Sequence, residues 1–106
     1  NSADAISDGT QELISEILRS NGISPQNVIS ILFTASPDLT ASFPAAAVRK
    51  LGFEDTPLIC AVEIDVPGAL ERTIRVMAHV EIERKKEEIT HIYLHGAAAL
   101  RRDIAQ

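Results

Sequence analysis

Apolar side chains recur at helical spacing through residues 1–21, where Ile6, Leu13, Ile14, Ile17 and Leu18 share one face against Asp, Glu, Gln and Ser. Gly22 follows as the C′ residue of that helix. Ser24-Pro25 then supplies an N-cap and a first helical position for one short turn through Asn27. The period changes after it. Residues 28–35, Val-Ile-Ser-Ile-Leu-Phe-Thr-Ala, are rich in β-branched side chains and predict a strand, which Ser36-Pro37-Asp38 breaks. A loop leads to Phe43-Pro44, and residues 45–51 predict a short helix closed by Gly52. Residues 57–64 and 73–81 predict a second and a third strand, with a turn at Pro67-Gly68 between them. The charged run 83–88 reads as a solvated connection. Residues 89–94, which include Tyr93, predict a fourth strand, and residues 97–100 a short fifth one before Arg101-Arg102.

Helices and strands alternate at first and then strands dominate, so the fold class is α/β or α+β with a mixed sheet. The 106 residues make one domain, spanning 1–106. Two helices cover one face of such a sheet and leave the other to be buried elsewhere, for which a partner subunit is the natural answer. Aromatic residues are 4% of the chain with no Trp, so the expected core is aliphatic. A net charge of −5 argues against nucleic acid as a partner. No apolar run is long enough to span a membrane, and nothing reads as a signal peptide. Cys60 stands alone, which excludes an internal disulfide framework and fits a cytosolic setting.

Two charges lie where apolar strands should not want them. Glu63 follows Leu-Ile-Cys-Ala-Val, and Arg75 interrupts Thr-Ile-Arg-Val-Met. A charge in such a place is costly unless it is paired or faces water. His79, His91 and His95 have no ligand spacing on a helix, so metal binding is not expected. No glycine-rich phosphate loop is present, Ser36 and Ser42 lack an evident base, and Cys60 suits a small core residue. What is left is Arg49, Glu63, Arg75, Tyr93 and Arg101. One reading makes Glu63 and Arg75 a buried structural ion pair. The other is a pocket for a small dianion, gripped by arginines, with Tyr93 donating and Glu63 accepting a substrate hydroxyl. Spacing alone leaves both open.

Across essentially the whole chain the sequence resembles the monofunctional chorismate mutases of the AroH class. The resemblance is carried by Phe33-Thr-Ala-Ser-Pro-Asp-Leu39, Phe43-Pro-Ala-Ala-Ala-Val-Arg49 and Cys60-Ala-Val-Glu63-Ile-Asp65. It continues through Pro67-Gly68-Ala-Leu70, Ile74-Arg75-Val76, His91-Ile-Tyr93-Leu94 and Leu100-Arg101. It implies a mixed sheet with helices on one side, three copies packing their sheets into a pseudo-barrel homotrimer with active sites at subunit interfaces. It also implies the rearrangement of chorismate to prephenate in aromatic amino-acid biosynthesis, a unimolecular step needing no cofactor, metal or nucleophile.

Residue by residue, the resemblance makes Arg75 the catalytic cation facing the ether oxygen of chorismate, and Glu63 the acceptor of the ring hydroxyl. Cys60 would line the same end of the pocket and Tyr93 would bind a substrate carboxylate. Phe43, Ala45 and Arg49 would come from a neighbouring subunit, and Leu100 and Arg101 from a closing tail. Relatives begin with a strand carrying an Arg-Gly-Ala-like motif, and this chain starts after it. Either the numbering leaves that strand out or the chain lacks it and its arginine, and in the second case weak or absent activity is expected. Ala46 stands where some relatives have Lys. The alternative is a trimeric small-molecule-binding or imine-deaminating protein of the RidA type, which would not require Glu63 and Arg75 in this arrangement.

Overall fold

A computed structural model describes residues 1–95. The chain runs α1 (Ala3–Asn21), a 3-10 turn (Pro25–Asn27), β1 (Val28–Ala35) and α2 (Pro44–Val48), which continues into a second 3-10 turn (Arg49–Leu51). Strands β2 (Leu58–Val62) and β3 (Ile74–Val80) follow, then a last 3-10 turn (Lys86–Glu88).

Helix α1 starts where the Ser2 hydroxyl accepts the Ala5 N–H at 3.1 Å. It stops at Gly22, whose φ of 61° is left-handed, with the Ile23 N–H donating back to the Leu18 carbonyl at 3.0 Å. Its buried Ile14, with Ile17 and Leu18 beside it, packs on the core. The Gln11 amide donates to the Ala47 carbonyl at 2.9 Å and ties α1 to α2.

The sheet is mixed, in the order β2-β1-β3. β1 is parallel to β2 and antiparallel to β3. A parallel neighbour needs a crossover, and α2 lies in the connection that supplies it. Register sorts the side chains into ranks on two faces. Phe33 lines up with Cys60 and Val76, and Ile31 with Leu58 and Ala78, all packed in the core that the helices cover. Leu32, Ile59 and Met77 form a rank on the other face, where Ile59 is 62% and Met77 59% exposed. The helices therefore cover one face only, as the pattern predicts.

Two expectations change. The core is not purely aliphatic: Phe33 and Phe53 are fully buried at its centre, because two large rings fill a small core that many aliphatic side chains would otherwise have to fill. Residues 89–94 form no strand. The Asn21 side chain instead accepts the Thr90 N–H at 2.8 Å and donates to the Thr90 carbonyl at 3.0 Å, taking both backbone groups a ladder would use. The strand expected at 97–100 lies outside the described residues, as do Leu100 and Arg101. Among the described residues no helix is long and apolar enough to cross a membrane.

Candidate active site

The open-face rank beyond Leu32 is polar. Thr34 on the central strand stands opposite Arg75 of β3 and Ala61 of β2. Glu63 comes just after β2, and its N–H donates to the Ala35 carbonyl at 2.9 Å, continuing the ladder by one residue. The Thr34 hydroxyl donates to Glu63 Oε2. Arg75 Nε lies 3.9 Å from the same oxygen, an ion-pair approach rather than a hydrogen bond.

The Arg75 side chain is 60% exposed and that of Glu63 30%. The two are thus not a buried structural pair. Each charge sits at the wet end of a mostly apolar strand, which is the condition that makes it tolerable there.

Glu63 and Arg75 open onto a cavity of about 250 Å³ lined by residues 36–38, 63–71, 73 and 75. Its far wall turns at Pro67-Gly68, where the Ala69 N–H donates to the Val66 carbonyl at 3.0 Å. Gly68 has φ 86°, the left-handed value that the third position of a type II turn requires. The near wall is fixed to the start of β3. The Ser36 N–H donates to the Thr73 carbonyl, and the Thr73 N–H donates to Ser36 Oγ, both at 2.9 Å. Asp38 Oδ2 accepts the Arg72 N–H at 3.0 Å, holding Arg72 at a left-handed φ of 48°. The Ser36 hydroxyl, helped by backbone N–H groups and the Arg72 charge, keeps the Asp38 carboxyl below the usual carboxylate range.

Among the described residues the charge in this cavity is unbalanced: Asp38, Glu63, Asp65 and Glu71 line it, and Arg75 is the one cation. An anionic ligand with two carboxylates needs more positive charge than this wall supplies.

The other expected site residues lie elsewhere in the single chain. Cys60 shares the core face with Phe33, opposite to Thr34 and Arg75, and does not line the cavity. Phe43, just before α2, is 73% exposed, and Arg49 is exposed on the turn after α2. Ala45 is only 7% exposed and belongs to the core. Tyr93 is half-buried in the irregular segment that Asn21 ties down.

Sequence reasoning passed over Thr34, Ser36 and Asp38 as site residues. The available signal was parity. Ser30 and Thr34 are the polar members of a strand whose alternate positions are apolar, so they mark its open face.

Comparison with known proteins places this geometry. Residues 1–104 match the family model described as chorismate mutase type I. The chain is 40% identical over 102 residues to the chorismate mutase AroH of Thermus thermophilus, covering 95% of this chain and 84% of that one. It is 40% identical over 97 residues to the chorismate mutase AroH of Bacillus subtilis strain 168, covering 91% of this chain and 76% of that one. A solved chorismate mutase from Clostridium thermocellum superposes with a TM-score of 0.91 at 48% identity, covering 93% of this chain and 88% of the other. None of these relatives supports the RidA-type alternative. A mixed sheet with one helix-covered face, a carboxylate and a guanidinium over a cavity at its end, and this degree of likeness lead to one assignment: the chain belongs to the type I chorismate mutase family.

Proposed function

We propose that this chain rearranges chorismate to prephenate in the cavity at the end of its sheet, with Arg75 as the catalytic cation and Glu63 as its partner. The observation that carries the reading is the Arg75 guanidinium, 60% exposed and 3.9 Å from Glu63, set between the apolar Ile74 and Val76 of its strand.

Chorismate reacts by breaking a C–O bond as a C–C bond forms within one molecule, and negative charge grows on the ether oxygen as that bond breaks. Arg75 presents a fixed positive charge there, which stabilises the transition state more than the ground state. Among the described residues its guanidinium makes no hydrogen bond, so its N–H groups can turn to substrate. Glu63 accepts the ring hydroxyl and limits the directions Arg75 can take. The site selects the compact, diaxial-like conformer of the substrate, so part of the acceleration is orientation. The reaction needs no covalent intermediate.

The same reading assembles three copies around a central axis. The rank of Leu32, Ile59 and Met77 supplies an apolar face for that packing. The shortage of cations among the described lining residues supports further positive charge from elsewhere. Arg49 of a neighbour and Arg101 are the candidates for it, and the exposed Phe43 of a neighbour for an apolar wall. Tyr93 binds a substrate carboxylate. Cys60 and Ala45 face the core of their own chain, so any contact they make with substrate requires a different packing from that of the single chain. A cytosolic enzyme of aromatic amino-acid synthesis fits this reading.

The test is the disappearance of chorismate absorbance, followed for the 106-residue chain and for a version carrying an arginine-bearing strand ahead of Asn1. Turnover in either supports the function, and turnover only in the longer version assigns substrate binding to that strand. Silence in both, with assembled protein, contradicts it.

A further inference from the structure

Glu63 lies beyond the last residue of β2, on the segment that becomes the exposed wall of the cavity. A carboxylate at the end of a strand has several rotamers and would ordinarily sample them in water. Here one oxygen, Oε2, accepts a hydrogen bond from the Thr34 hydroxyl. Thr34 belongs to the central strand, which is hydrogen-bonded on both sides, and its register partners are Ala61 and Arg75. Its backbone is therefore held from both sides, and it stands between the two charges. The β-branched side chain restricts χ1, so the hydroxyl has few directions to point. The Arg75 Nε approach of 3.9 Å is also to Oε2, the oxygen that Thr34 fixes. The consequence is a division of labour within one carboxylate: Oε2 is anchored by Thr34 and faces Arg75, and Oε1, which accepts no hydrogen bond among the described residues, is left for substrate.

We infer that Thr34 is a positioning residue of this active site, acting through Glu63 to set the direction of the substrate-facing oxygen and the stance of Arg75. The inference rests on the role given to Glu63 above and adds to it a residue that does not itself touch substrate.

The experiment compares Thr34→Val, Thr34→Ser, Glu63→Gln and the Thr34→Val/Glu63→Gln pair in the chorismate assay, with circular dichroism to confirm folding. Loss of a hydrogen bond to a charged group corresponds to roughly a tenfold to hundredfold change. Thr34→Val is expected to lower kcat by about that factor with KM changed less than about twofold, because the positioned group acts mainly in the transition state. Thr34→Ser restores the hydroxyl and is expected to recover most of the rate. In the pair, Thr34→Val is expected to add little to Glu63→Gln. A fully active Thr34→Val beside an impaired Glu63→Gln overturns the inference and leaves the Glu63 role standing. Equal losses in Thr34→Val and Thr34→Ser, or multiplying losses in the pair, also overturn it. A fully active Glu63→Gln overturns the Glu63 role and this inference with it.

Discussion

Asp38 shows how single side chains hold the wall of the cavity. It is exposed, yet its carboxylate accepts the Arg72 N–H and is met by the Ser36 hydroxyl, so the charged form is favoured. A carboxyl with a depressed pKa in the folded state adds its stabilisation above its unfolded pKa and loses it as pH falls through the folded one. The Arg72 amide resonance should therefore titrate with Asp38 below the ordinary aspartate range, and Asp38→Asn should abolish that titration. A midpoint at or above the ordinary range would show that the contact does not hold the loop. Residues of this kind were not legible in the sequence. A serine and an aspartate around a proline read only as a strand break, since turn chemistry and site-building use the same side chains. Glu63 and Arg75 were legible because a charge in an apolar run is an anomaly with few explanations.

At the scale of elements, three strands and both helices could be read from period and punctuation. Changes between 3.6 and 2 in spacing, and glycines at 22 and 52, carry strong local signals. The strand expected at residues 89–94 failed for a reason no local pattern contains. Asn21, 69 positions earlier, satisfies the Thr90 backbone on both sides. Its amide also donates to the Ile17 carbonyl at 2.9 Å, which anchors it to its own helix. A short β-branched run specifies an extended chain but does not choose between a strand neighbour and a side chain as its hydrogen-bond partner. Core identity was misread similarly, because composition counts aromatics without saying where they lie.

For the whole molecule, the decisive feature is a sheet with one covered face. Leu32, Ile59 and Met77 place apolar area on the other face, beside the polar rank that holds Thr34 and Arg75. Burying a methionine side chain contributes about 1.5–3 kcal/mol, and an aspartate in its place would have to be desolvated on assembly. With the proposed trimer packing, Met77→Asp should thus leave the helical signal intact, shift sedimentation from an assembled species to single chains, and remove turnover. An assembled, active Met77→Asp would contradict that packing. On the proposed mechanism a guanidinium, not merely a positive charge, accelerates the reaction, and kcat for Arg75→Lys decides between the two. Lysine keeps the charge and loses the planar fork. Removing one preorganised donor typically costs 10²–10³ in rate, so a fall of about 10² or more with assembly unchanged is expected. Turnover within a few-fold of the parent would contradict the role given to Arg75.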